Sequence, residues 1–181
     1  MSEDNIVKKW FGIEFFKFSP QLQELHIYGG ELEGEATVEL GVGVAKLIGR
    51  MLADKLNLPA PGIHKLSIHI FHDNNVLHWN RTFNDSVCLS SEFVPVGTIG
   101  SGYWLEKNGH KAIELTVDIV DGGWYWRALK FNIHGFSVPR WLFPKLEAYK
   151  LMKNDRYHFY VGFSVPLLGK LVSYSGVLTR K

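Results

Sequence analysis

Arg81 stands between two aromatic residues, Trp79 and Phe83, in a segment that alternates like a β-strand. In an extended strand, every second side chain points to the same face, so these three residues would share one face. A guanidinium is costly to bury without a partner, and it can hold a carboxylate through two parallel hydrogen bonds. We therefore predict that Arg81 binds the acidic group of a ligand. The alternative is a structural ion pair with a residue such as Glu92 or Glu147, or a guanidinium that reaches water.

The histidines, the cysteine and the glycines do not form a catalytic, metal-binding or nucleotide-binding pattern. His69 and His72 are three positions apart in a predicted strand and would face opposite sides of it. Cys88 has no partner nearby in sequence and is expected to face outward. Gly41-Val42-Gly43 with Gly49 matches neither the dinucleotide fingerprint nor the phosphate loop. We predict no catalytic residue, no metal and no cofactor.

Composition places the chain among globular proteins. It has 181 residues, a formal net charge of +2 with both signs interspersed, and a single cysteine. The charge is too small and too scattered for a nucleic-acid surface, and one cysteine allows no internal disulfide. No apolar run approaches the roughly 20 residues that span a bilayer, and there is no signal-peptide pattern. We expect a single domain over residues 1–181, cytoplasmic and without a transmembrane segment.

Strand-like runs alternate with turn signals from Leu66 to Leu178. The strongest hairpin signal is Asn108-Gly109. Ile113, Leu115 and Val117 share one parity while polar residues take the other, so one face of the sheet should be apolar. About ten antiparallel strands in a meander should curl into a strongly curved sheet or a closed barrel, and such barrels commonly enclose a cavity. The predicted strands are Glu33–Leu40, Lys65–Phe71, Val76–Phe83, Val87–Val94, Ile99–Glu106, His110–Val120, Trp124–Ile133, Lys145–Met152, Arg156–Val165 and Leu171–Leu178.

The many predicted strands make the predicted fold mainly β. Two helical regions that precede most of these strands bring it close to the α+β class. The main helix is predicted over Val44–Leu56, where apolar residues recur at helical spacing. Its predicted buried stripe consists of Val44, Leu47, Ile48, Met51, Leu52 and Leu56.

The N-terminal helical segment, Asn5 to Phe18, is rich in aromatic residues. We expect it to pack its aromatic face on the sheet, the alternative being a basic aromatic helix on a membrane surface. Ser19-Pro20 should begin a further short helical turn.

Several segments along the chain form an ordered set of landmarks: Leu22 to His26, Glu33-Gly34-Glu35, Leu58-Pro59 with Gly62, Trp79-Asn80-Arg81-Thr82-Phe83, Leu105-Glu106-Lys107-Asn108-Gly109, Pro139-Arg140-Trp141-Leu142, and Pro166-Leu167-Leu168-Gly169 with Tyr174-Ser175-Gly176. Together they resemble the bacterial domain family named domain of unknown function 4166, from about Phe15 to Leu178. The resemblance implies an accessory or ligand-handling role, since members of the family occur alone or fused to saccharopine-dehydrogenase-like proteins. The family has no established activity to transfer.

Our leading hypothesis is a noncatalytic binding module that holds a hydrophobic, acidic small molecule, such as a lipid, inside the curved sheet. The alternative is a protein-interaction or accessory domain of an oxidoreductase, with a core filled by its own side chains. An enzyme is the least favoured class, because no base, nucleophile and orienting group share a segment. The predicted ligand-binding residues are Arg81, Trp79, Phe83, Tyr103, Phe159 and Phe163.

Overall fold

Antiparallel strands make up most of the molecule. The computed structural model describes residues 5–108, 111–133, 136–138 and 143–181. Its strands are β1 (Gly30–Leu40), β2 (Gly62–Asp73), β3 (Val76–Phe83), β4 (Val87–Val96), β5 (Tyr103–Asn108), β6 (Lys111–Val120), β7 (Gly123–Ile133), β8 (Phe136–Val138), β9 (Lys145–Lys153), β10 (Arg156–Val165) and β11 (Gly169–Arg180).

The strands close into a barrel. The order is β6-β5-β4-β3-β2-β1-β11-β10-β9-β7, and β7 also pairs with β6, which completes a ring of ten strands. The short β8 pairs with β7 and lies outside this ring. Strands β1 and β11 lie side by side, with Leu32 opposite Arg180. The predicted meander of about ten strands is confirmed, and the barrel is closed.

Most of the predicted turns are found where the sequence placed them. Asn84 and Asp85 have positive φ between β3 and β4, and Asn154 and Asp155 do so between β9 and β10. Asn and Asp tolerate this region of backbone space better than most residues. Strand β5 begins at Tyr103, four residues later than predicted. The predicted turn at Asn108-Gly109 includes Gly109, which lies outside the described residues, as do residues 139–142 of one family segment.

The N-terminal segment closes one end of the barrel. It consists of α1 (Ile6–Phe11), a 3₁₀ helix (Gly12–Lys17) and α2 (Pro20–Tyr28). The predicted packing of its aromatic residues on the sheet is confirmed, because the rings of Trp10, Phe11, Phe15 and Phe18 are buried in the core. Helix α2 begins at the predicted proline and runs to Tyr28, further than the short turn expected.

Helix α3 (Val44–Lys55) lies at the opposite end, as the strand directions require. Its predicted bounds are confirmed to within one residue, but its predicted buried stripe is wrong. The face that packs on the barrel consists of the small residues Ala45, Gly49 and Ala53. Small side chains let the helix backbone approach β11 closely. Of the predicted stripe, Leu52 and Leu56 are partly buried, whereas Val44, Leu47, Ile48 and Met51 are exposed.

A cavity of the barrel and its cationic groups

A cavity of about 140 Å³ lies inside the barrel. Its wall is mainly apolar and aromatic, with contributions from Phe93, Leu115 and Trp126. The exposed Lys55 at the end of α3 also lines it, so the cavity extends toward the surface at that end of the barrel. An empty cavity of about 150 Å³ in another protein holds one benzene molecule. The space inside this barrel therefore suits a small ligand.

Four of the six predicted ligand-binding residues line this cavity: Trp79, Arg81, Phe159 and Phe163. The other two do not. Phe83 is fully buried and packs edge-on against the ring of Tyr174, with 6.1 Å between ring centroids. Tyr103 is half-buried at the start of β5. That any of these residues binds a ligand remains a prediction.

Arg81 is held by hydroxyl groups. Its Nη1 donates a hydrogen bond to the Tyr174 hydroxyl at 2.9 Å, and its Nη2 donates to Ser91 Oγ. Ser91 Oγ in turn donates to Glu106 Oε1 at 2.7 Å. Among the described residues, neither carboxylate proposed as an ion-pair partner from the sequence, Glu92 or Glu147, forms a hydrogen bond or ion pair with Arg81. A guanidinium linked to a carboxylate only through a hydroxyl keeps part of its charge available to a ligand.

Lys150 is the second cationic group, and sequence reasoning missed it. Strand β9 places this side chain inside the barrel, where it is only 2% exposed and lines the cavity. Its Nζ lies 3.7 Å from the ring centroid of Trp79, 4.0 Å from that of Trp124 and 5.7 Å from that of Trp126. No ion-pair partner of Lys150 occurs among the described residues. The side-chain amino group of Lys150 is therefore surrounded by tryptophan rings.

His26 of α2 receives a hydrogen bond from Lys150. The two nitrogens, Lys150 Nζ and His26 Nε2, are 2.6 Å apart. His26 Nδ1 lies 2.7 Å from the carbonyl oxygen of Leu22, which can only accept, so Nδ1 carries the hydrogen. Nε2 is then the unprotonated nitrogen and accepts from Lys150. Burial, followed by the neighbouring charge of Lys150, lowers the pKa of His26 well below its usual value, which keeps the imidazole neutral.

Two effects act on the protonation of Lys150 in opposite directions. Burial and the nearby Arg81 charge lower the pKa of its amine, whereas the indole faces favour the ammonium form. A desolvated cation–π contact contributes about 2 kcal/mol, while removing an ion from water costs several kcal/mol after relaxation and more without a counter-charge. The net effect is therefore a lowered pKa of Lys150, which favours the neutral amine more than in a surface lysine.

Three hydrogen-bond donors on the cavity lining have no partner among the described residues: Arg81 Nε, Trp79 Nε1 and the Tyr157 hydroxyl. Burial raises the pKa of Tyr157 well above its usual value, so its hydroxyl remains a donor. A buried donor without a partner costs about 1–3 kcal/mol. Trp104 and Trp124 also have unpaired indole N–H groups, although neither residue lines the cavity.

No group of three or more His, Cys, Asp or Glu side chains within the described ranges is arranged to hold a metal ion. The described helices include none that is long and apolar enough to cross a bilayer.

The fold and this interior define a class of protein: a closed antiparallel β-barrel with an apolar cavity and a few inward polar groups. The chain belongs to the DUF4166 family, a domain of unknown function, whose model matches residues 18–178.

A solved structure supports the barrel fold. It is a protein of unknown function from the DUF3598 family of Nostoc punctiforme, similar with a TM-score of 0.50 at 15% sequence identity. The match covers 84% of this chain and 47% of that one, so this chain spans about half its length. At this identity the likeness concerns the fold alone. The curated proteins include no match.

Proposed function

We propose that the barrel binds a compact apolar carboxylic acid in its cavity. The observation that carries this proposal is the set of unpartnered donors on an apolar lining: Arg81 Nε, Trp79 Nε1 and the Tyr157 hydroxyl. A carboxylate offers about four acceptor positions, which can satisfy these donors together. The hydrophobic part of the acid would contact the aromatic wall.

The cavity volume narrows the ligand class. Sites for drug-sized molecules usually measure about 300–1,000 Å³, whereas this cavity measures about 140 Å³. A single aromatic ring or a short acyl chain fits this space. A long-chain lipid would have to extend beyond the cavity past Lys55.

The lining includes the cationic side chains of Arg81 and Lys55 and one carboxylate, Glu106, so its net charge favours an acid over a neutral molecule. Arg81 is linked to Glu106 only through Ser91. Lys150 lies at the same cavity, and an arriving carboxylate would raise the pKa of its amine and favour proton uptake. Binding of the acid would then be coupled to protonation of the lysine.

The test compares acids with neutral molecules of the same shape. Isothermal titration calorimetry with benzoate and hexanoate should show binding to the wild type, and benzyl alcohol and hexanol should bind more weakly. Arg81→Ala should weaken benzoate binding about 10- to 150-fold, the equivalent of about 1.5–3 kcal/mol for a hydrogen bond to a charged group. Arg127→Ala is the matched control, since Arg127 is exposed and paired with Asp118. Equal benzoate affinity in wild type and Arg81→Ala, or no acid binding by the wild type, contradicts the proposal.

One observation supports the alternative of a protein-interaction or accessory domain. Helix α3 exposes a row of apolar side chains that includes Val44, Leu47 and Met51. That alternative also requires a core filled by the protein's own side chains, and the cavity does not fit this requirement. We therefore place ligand binding first.

A further inference from the structure

We infer that Lys150 is a covalent site at which a carbonyl-bearing ligand of the cavity forms a reversible imine. This inference rests on the proposed function to the extent that a small apolar molecule must enter the barrel. It narrows the ligand class to a compact aldehyde or ketone, with or without a carboxylate.

The surroundings of Lys150 provide the first argument. Its amine is buried, lines the cavity, and is enclosed by the rings of Trp79 and Trp124 rather than by carboxylates. The titratable or charged groups that act on it are His26, in contact, and Arg81, nearby. Burial and the Arg81 charge lower the pKa of the amine, so its lone pair is more available near neutral pH than that of a surface lysine.

His26 provides the second argument, because its free nitrogen faces the amine. When Nζ attacks the carbonyl carbon, a C–N bond forms, the carbonyl π electrons move to oxygen, and the nitrogen must lose a proton. His26 Nε2, 2.6 Å away and unprotonated, can accept that proton. Returning that proton to the alkoxide gives the neutral carbinolamine. One further proton, borrowed from solvent, lets the hydroxyl leave as water while the nitrogen lone pair forms the second bond to carbon. The protonated imine then gives its remaining N–H proton back to solvent through His26 Nε2 and becomes the neutral imine. Amine and aldehyde give imine and water, with no oxidant or reductant.

The remaining polar groups of the cavity fit the same ligand. A ligand with both a carbonyl and a carboxylate could bond to Lys150 through the first and contact Arg81 through the second, since both residues line one cavity. The aromatic wall would keep bulk water from the imine and so slow its hydrolysis.

The experiment uses three probes that share one benzene ring and differ in the groups attached to it. Benzoate carries only the acid, benzaldehyde only the carbonyl, and 4-formylbenzoate both. The full chain is incubated at pH 7 with each aldehyde at low concentration, reduced with cyanoborohydride and mapped by peptide mass spectrometry. We expect Lys150 to carry at least tenfold more label than any exposed lysine. Lys150→Met should lose that label, while Lys153→Arg, a change at an exposed position on the same strand, should keep it. Prior addition of benzoate should reduce labelling of Lys150.

The outcomes separate the two proposals. If benzoate binds but the aldehydes label only exposed lysines, the imine inference is wrong and acid binding stands. If Lys150 is labelled but benzoate does not bind, acid recognition is wrong and the covalent site stands. Absence of both overturns both. The distribution of label among the lysines of the wild type tests the imine inference even if Lys150→Met folds poorly.

Discussion

At the scale of single residues, Lys150 is a costly side chain to bury inside this barrel. Its amine is almost fully buried, and the hydrogen-bond acceptor in contact with it is the neutral His26. The two indole faces of Trp79 and Trp124 offset part of the desolvation cost. Such a residue lowers stability, and the ligand chemistry proposed above would give its presence inside an apolar barrel a reason.

Replacing Lys150 by Met should stabilise the protein at pH 7, by roughly 1–4 kcal/mol, the range for replacing buried ionic groups by apolar ones. The sign of the pH dependence follows from the lowered pKa of Lys150. The unfolded chain binds its lysine proton up to a pKa of about 10.4, while the folded chain releases it at lower pH. Wild-type stability should therefore rise with pH between these two pKa values.

Urea unfolding at pH 7, 8, 9 and 10 provides the measurement. The gap between Lys150→Met and wild type should shrink as the pH rises, while Lys153→Met should remain parallel to wild type. A gap that stays constant or grows would mean that folding does not lower the pKa of Lys150.

At the scale of elements, α3 shows how a helix can attach to a barrel through its smallest residues. A Cβ added at Gly49 would lie 1.9 Å from the carbonyl oxygen of Leu171 in β11. The helix and strand backbones are therefore in direct contact. The larger apolar residues, such as Leu47 and Met51, remain 67% and 62% exposed.

Gly49→Ala should destabilise the fold by roughly 1–3 kcal/mol, the usual cost of overpacking. On helix propensity alone, the same change would stabilise α3 by about 1 kcal/mol. The sign of the change in the free energy of unfolding therefore separates overpacking from helix propensity. Leu47→Ala is the control and should change stability by less than about 0.5 kcal/mol. Thermal and urea unfolding measure both, and a more stable Gly49→Ala variant would show that α3 does not press on β11.

The accuracy of sequence reasoning differed between strands and helix for a physical reason. In a strand the period of two fixes which residues share a face, so the inward direction of Leu115 and Val117 followed from alternation alone. In α3 the spacing identified the apolar side of the helix, but not which side of the helix packs on the barrel. Close backbone approach at Gly49 favoured the small-residue side, and nothing local in the sequence encodes that contact.

The same distinction applies to the cavity. Arg81 and Trp79 could be proposed because they are two positions apart on one strand. Lys150 is two positions from the buried Ala148 on β9, so alternation alone could have indicated that it points into the barrel. Its enclosure could not be derived, because Trp79, Trp124 and His26 come from three elements distant from it in sequence.

At the scale of the whole molecule, the barrel has one filled end and one end with space. The rings of the N-terminal segment, such as Trp10 and Phe11, pack against Trp104 and Trp124 and fill the first. The cavity extends toward the other end, where Lys55 lines it beside α3. A ligand that fills this space should stabilise the entire fold, since strands from all around the ring contribute to its wall.

Benzoate at about 100 times its dissociation constant should stabilise the folded state by about 2.7 kcal/mol. For a protein of this size that corresponds to a rise in Tm of roughly 5–11 °C. Differential scanning calorimetry across a benzoate series checks this, with benzyl alcohol as the neutral comparison. A Tm that does not depend on benzoate concentration would contradict binding to the native barrel.

The pairing of β1 with β11 has a consequence for biosynthesis. These neighbouring strands are far apart in the chain, since Leu40 and Val172 lie opposite each other. At a synthesis rate of about 5–20 residues per second, Leu40 waits roughly 7 to 26 seconds for its partner Val172. During that interval one edge of β1 has no strand to pair with, and unpaired edges promote association between chains. Ring closure therefore cannot precede the synthesis of β11, and the open edge of β1 is available to other chains until then.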